Sequence, residues 1–280
     1  MNVVDLLLNL AGLLLWLGWR AIGLAEPARA PGLSLASTLQ RAAPLAARRW
    51  PPLAWLAALL LVRPLLYWQI GTPTHWNPLL GLGLIAIPFR TTSLGHMLLY
   101  SLLGFGRVLA LFHLALLCLC LVNRRVSDAD AVQRFVRLQL GRVTRWPAFA
   151  LVLLPLGAGT VLWLIGSPLL IRMELLSPPA ALGIRLQQGL LLGAAACLTW
   201  VYPIAGLLAG YFFYNHVFVG HSSLWSFVGV TGRNLLRPLR WLPLVAGRLD
   251  FAPLLALALV VAAGHYALLG LTRCFEHPPF

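Results

Sequence analysis

The sequence predicts an all-α, polytopic membrane bundle of six transmembrane helices, built from three tandem parallel two-helix repeats. Three observations carry this expectation. Of 280 residues, 60% are hydrophobic and 10% charged, with a mean hydropathy of +0.84, whereas a soluble domain carries about 25% charged residues. Uncharged or nearly uncharged runs of about 20 residues, the length that crosses a roughly 30 Å hydrocarbon core, recur six times. Short tryptophan-centred motifs return at intervals of 96 and 95 residues.

The runs are Val3–Ala25, Pro52–Gly71, Leu94–Val122, Pro147–Ile171, Gly189–Phe213 and Phe251–Leu271. Lipid offers no hydrogen bond to a stray backbone, so each run is expected to be helical. The first has no basic leading segment and no small-residue cleavage pattern, and its only early charge is Asp5. It reads as a retained helix, not a signal peptide. Asn77–Phe89 is apolar but too short to span, which suits an interfacial or re-entrant segment; the re-entrant form would favour a channel. In the fifth run, Gly189-x-x-x-Gly193 and Gly206-x-x-x-Gly210 allow close helix contact. Cys118, Cys120, Cys197 and Cys274 contain no C-x-x-C pair, so neither a disulfide framework nor a zinc site is expected.

All 21 basic residues are arginine. Loop Glu26–Pro51 holds Arg29, Arg41, Arg48 and Arg49; loop Asn123–Trp146 holds six arginines; loop Tyr214–Asp250 holds Arg233, Arg237, Arg240 and Arg248. The alternate loops and the tail hold only Arg90, Arg172, Arg185 and Arg273. By the positive-inside rule the basic loops face the cytoplasm or its plastid equivalent, with both termini opposite. The expected setting is the bacterial inner membrane. Such a basic excess reads as topology and contact with anionic lipid headgroups, not as nucleic-acid binding. Ser127 and Asp130 have capping-box spacing ahead of Val132, Phe135, Val136 and Leu140, so this basic loop is expected to contain a short amphipathic helix.

Arg49-Trp50-Pro51, Arg145-Trp146-Pro147 and Arg240-Trp241-Leu242-Pro243 stand before the second, fourth and sixth runs. Trp68-Gln-Ile-Gly-Thr-Pro73 is matched by Trp163-Leu-Ile-Gly-Ser-Pro168, and Arg90 by Arg185, at an offset of 95. The predicted units are residues 1–93, 94–188 and 189–280. Each holds an even number of spans, so all three lie the same way up. In the motif, Arg meets lipid phosphate, Trp prefers the headgroup level, and Pro is tolerated in a first helical turn. Three interfacial anchors account for it, and the same arginines and tryptophans would present a docking surface to lipid or a partner.

"LLRPLRWLPLVAGRLDFAPLLALALV", from Leu235 to Val260, resembles the YggT family of small bacterial and plastid membrane proteins. The matching positions are Pro238-Leu239-Arg240, Pro243, Gly247 and Asp250-Phe251-Ala252-Pro253. Units one and two keep Arg-Trp-Pro but not the Asp-x-x-Pro box. The resemblance implies a non-enzymatic role, similar to factors that assemble membrane complexes, including a cytochrome b6f cofactor-assembly protein, or to proteins linked to cell division and osmotic tolerance. It carries no catalytic residues. Asp250 is expected to cap the helix that follows it and to pair with Arg248 or Arg240.

Arg20, Arg63 and Arg107 fall inside runs. Arg20 lies near an end and can snorkel, but Arg63 and Arg107 lie near the middle, where an ionised residue marks a functional hypothesis. No obvious carboxylate partner appears for either, since the only acid within the runs is Asp5, near an end. Backbone carbonyls, a lipid phosphate, a cofactor propionate or another protein's acidic residue would each serve. His113 and His265 lie mid-run on different helices, where hydrogen-bonded packing is the simpler role than haem ligation or proton relay. No H-E-x-x-H, phosphate-cradling glycine loop or G-x-S-x-G occurs. No cofactor is expected. Three functions follow in order: an assembly, scaffold or accessory subunit of a larger membrane complex; a channel or transporter with Arg63 and Arg107 along its path; and a lipid enzyme, for which only His216, His221 and Asp250 come into question. Arg63 corresponds to Gly159 in the second unit, so the polar position is not repeated, which favours the first.

Overall fold

The computed structural model describes residues 2–25, 50–73, 76–124, 126, 130–178, 181–216, 222–239, 241, 244–246 and 249–276. Among the described residues the chain is helical apart from two short hairpins and their connecting turns, and six segments are long and apolar enough to cross a membrane, making it a multi-pass membrane protein. The long helices are α1 (Asn2–Ala25), α2 (Trp50–Gly71), α3 (Leu94–Val122) and α5 (Ala148–Arg172), the sequential pair α6 (Leu182–Leu198) and α7 (Val201–His216), and α9 (Ala252–Glu276). Side chains such as Leu6, Leu14, Trp55, Leu61, Leu162 and Ile165 stand exposed on these helices. Water would penalise that surface, but lipid tails accept it.

Two compact units form, residues 1–80 with 87–109, and residues 81–86 with 110–280. In the first, α1 packs on α2. Pro64 inside α2 cannot donate to the carbonyl four residues back. The Ser101 hydroxyl on α3 supplies the missing bond, donating to Leu60 O at 3.0 Å. A buried backbone acceptor is thus satisfied where lipid could not do so.

In the second unit, α5 packs chiefly on α6, and α7 on α8 (Ser223–Leu235) and α9. A Cβ on Gly193 would collide with the Leu156 carbonyl of α5, so only glycine fits this crossing. The fifth run lies in one candidate span, Leu182–His216, but not as the unbroken helix expected over 189–213. Its helix starts at Leu182 and breaks after Leu198. Pro203 cannot bond the Thr199 carbonyl, and the chain tightens instead: Thr199 N bonds Ala196 O, Trp200 N bonds Cys197 O and Tyr202 N bonds Thr199 O. The Trp200 indole donates to Leu114 O on α3 at 2.9 Å, pinning the break in place.

Two features lie outside the spans. Residues 77–89 form a hairpin, β1 (Leu79–Gly81) with β2 (Ala86–Pro88), closed by Leu82 N to Ile85 O. The basic loop after α3 holds α4 (Ala131–Leu140), where the amphipathic helix was expected. Its N-cap is Asp130, whose carboxylate accepts from Val132 N and Gln133 N; Ser127 lies outside the described residues. Gly141, with φ +56°, ends α4 and turns the chain into a 3₁₀ turn, Gly141–Arg145.

Candidate functional site

The sequence left Arg63 without a carboxylate, and the structure corrects this. Arg63 is 0% exposed and bonds three side chains across α1 and α2. Its Nη2 donates to Asp5 Oδ1 at 2.8 Å, its Nη1 to Asn9 Oδ1 at 3.1 Å and its Nε to the Tyr67 hydroxyl at 3.0 Å. That hydroxyl donates in turn to Asp5 Oδ1 at 2.6 Å, and Asn9 Nδ2 bonds Asp5 Oδ2. Asp5 and Asn9 lie one turn apart on α1, as do Arg63 and Tyr67 on α2, so each helix presents its pair on one face. Trp76 and Tyr100 pack against Tyr67, and Phe89 against Tyr100, with ring centroids 5.4–6.0 Å apart. A buried guanidinium with its charge matched and its donors engaged is a structural tie, held shut by aromatic packing. The guanidinium lies inside the unit, not on its surface.

Arg107 is different. Its side chain is exposed on α3, and it forms no hydrogen bond or ion pair among the described residues. Leu102, Gly106, Ala110 and Leu111 are exposed with it, at spacings that share one helix face.

At the start of the spans, Trp50, Trp146 and Trp241 are all exposed, as headgroup-level anchors require. Arg145 is exposed beside Trp146, whereas Arg49 and Arg240 lie outside the described residues. Of the positions that carry the YggT resemblance, Pro243 and Gly247 also lie outside them, Pro238 is exposed and Pro253 is buried. Asp250 Oδ1 accepts from Ala252 N at 2.9 Å, the helix-capping role expected of it; Arg248 is not among the described residues. β3 (Val245–Ala246) and β4 (Leu249–Asp250) pair antiparallel just before α9.

His216 bonds Phe212 O within its own helix, His265 is exposed beside Tyr266, and His113 lies edge-on to Phe112. His221 lies outside the described residues. No group of three or more His, Cys, Asp or Glu placed to hold a metal occurs among the described residues.

The cavity that sequence reasoning missed sits in the second unit. It measures about 400 Å³ and is lined by Cys120, Arg124, Gln133, Arg137, Thr144 and Arg145. Arg124 Nη2 donates to Trp146 O at 3.1 Å and Arg137 Nη2 to Val126 O at 2.7 Å. Gln133 is wholly buried, its Nε2 spent on Asn123 O at 3.2 Å while its Oε1 has no partner. Asn123 is fixed from below by Thr231 and Asn234 of α8, at 2.8 and 3.0 Å. The sequence showed the arginines of this loop only as a collective charge.

No family model, curated protein or solved structure matches the chain.

Proposed function

We propose that the chain is a non-enzymatic, YggT-like accessory, scaffold or assembly subunit of a larger membrane complex. Arg107 is the observation that carries the reading. It lies 13 residues from Leu94 and 15 from Val122, about 20 Å from either end of α3 at 1.5 Å per residue. That is too deep for one side chain to snorkel to an interface. An arginine at a helix centre costs roughly 2.5–3.5 kcal/mol to insert, a cost that a carboxylate on a neighbouring subunit's helix would offset. Gly106 and Ala110 beside it leave room for such a helix to come close. The burial of Arg63 and its pairing with Asp5 favour this reading over a channel lined by that side chain.

The test is mass spectrometry of the tagged protein, extracted in mild detergent from its native membrane at native expression level. A stoichiometric membrane partner is expected, lost on Arg107→Leu and kept on Arg107→Lys. Recovery of the wild-type chain alone would sink the proposal and send the work to ion-flux assays in liposomes.

A further inference from the structure

α4 carries apolar side chains on two faces. Val136 is buried in one cluster with Leu116, Leu117 and Cys120 of α3 and Leu151 of α5, and Leu140 packs against that cluster. Phe135 and Leu138, three residues apart, stand together on the other side, 39% and 45% exposed, and Ala131, one turn before Phe135, is exposed with them. Of the apolar stripe read from the sequence, Val136 and Leu140 are therefore used by the bundle and Phe135 is not.

The surroundings of α4 say what covers this outer face. Cys120 is two residues inside the end of α3, and Leu151 three residues inside the start of α5, about 3 and 5 Å along their helices at 1.5 Å per residue. By packing Val136 on both, α4 is held just inside the ends of two spanning helices. The exposed Trp146 beside α5 marks that level as the one where headgroups give way to acyl chains. Arg142 and Arg145 are exposed on the 3₁₀ turn that follows α4, and residues 131–149 contain no Asp or Glu. Charge of this one sign is complementary to anionic headgroups. Depth selects lipid over an acidic soluble protein, which would have to reach below the headgroups.

We propose that the outer face of α4 is an in-plane anchor in an anionic leaflet. Phe135 and Leu138 insert among the acyl chains at the C-terminal end of α3, and Arg142 and Arg145 bind the lipid phosphates above them. The inference is independent of the accessory-subunit reading, because it concerns the lipid contacts of one chain.

The experiment uses the full chain in phosphatidylcholine vesicles holding about one-third phosphatidylglycerol, an anionic surface of the kind that attracts arginine. Leu138→Cys and, separately, Ala131→Cys carry a spin label in a Cys197→Ala, Cys274→Ser background, since Cys118 and Cys120 are buried. Label on Leu162→Cys, exposed within α5, is the lipid reference. Collisions with oxygen are expected to exceed those with a water-soluble nickel chelate several-fold at both α4 sites, as at Leu162. Nickel exceeding oxygen would place the face in water, open to a soluble partner, and overturn the proposal. Suppression of both would show the face covered by protein, a second copy of the chain included, and would overturn it too. For the charge, a fluorophore on Ala131→Cys is quenched by lipids carrying a nitroxide at the top of the acyl chain. Phosphatidylglycerol is expected to quench about twofold better than phosphatidylcholine, and Arg142→Gln with Arg145→Gln to bring the two level. Equal quenching in the wild-type background, or a preference that survives both substitutions, would overturn the arginine–phosphate contacts.

Discussion

Leucine at Asp5 and at Arg63, singly and together, tests whether α1 and α2 are tied by charge or merely by apolar contact. Asp5→Leu removes the carboxylate paired with the fully buried Arg63, together with the acceptor of the Tyr67 hydroxyl. Breaking a buried pair from one side costs about 3–5 kcal/mol. Asp5 is 20% exposed, so the lower end, about 3 kcal/mol, is expected. Arg63→Leu leaves a carboxylate that keeps Asn9 and Tyr67 as donors and should cost less, about 1–2 kcal/mol. The double variant replaces the pair by apolar groups, which is near neutral for buried ion pairs, within about 1 kcal/mol of wild type. The cycle thus predicts a coupling of about 3–5 kcal/mol. It is measured by SDS-driven unfolding in mixed micelles, followed by tryptophan fluorescence. Additive single effects, with a coupling under about 0.5 kcal/mol, would refute the tie.

Gly193→Val should destabilise the α5–α6 crossing by about 1–3 kcal/mol, the usual cost of overpacking, whereas Gly206→Ala, whose Cβ would meet nothing within 4 Å, should be neutral or mildly stabilising. The same unfolding assay separates them, and equal losses would deny that Gly193 is needed for close approach. Asp250→Ala removes the bond to Ala252 N and should cost about 1 kcal/mol. Hydrogen exchange confined to the first turn of α9 is the local readout, and unchanged protection there would show that the cap is idle.

The spans were legible because twenty apolar residues have few other options in lipid, and α3 falls on the run read from composition. Within the fifth span the break before Pro203 was missed, because length and hydropathy do not register a breaker; reading its missing donor against Thr199 would have placed it. Residues 77–89 were recognised as too short to span, but their hairpin depends on local Gly and Pro chemistry that hydropathy does not carry. The Arg63 tie was hidden because its carboxylate lies 58 residues away and was counted as a helix-end charge. The clue was present in two polar pairs, Asp5 with Asn9 and Arg63 with Tyr67, each four apart in otherwise apolar helices. The cavity was beyond reach, since it needs Gln133, Thr144 and Cys120 brought together from three elements.

The Arg63–Asp5 pair also bears on how the protein is made. A ribosome releases Asp5 well before Arg63 has been synthesised, so α2 reaches the translocon as the helix in need. Alone it carries an insertion cost of roughly 2.5–3.5 kcal/mol; alongside α1 that cost is largely cancelled. The two helices therefore leave the lateral gate most easily as a hairpin. A chain clipped before Asn9 would present α2 as an orphan, the kind of exposed intramembrane charge by which quality-control proteases recognise unassembled clients.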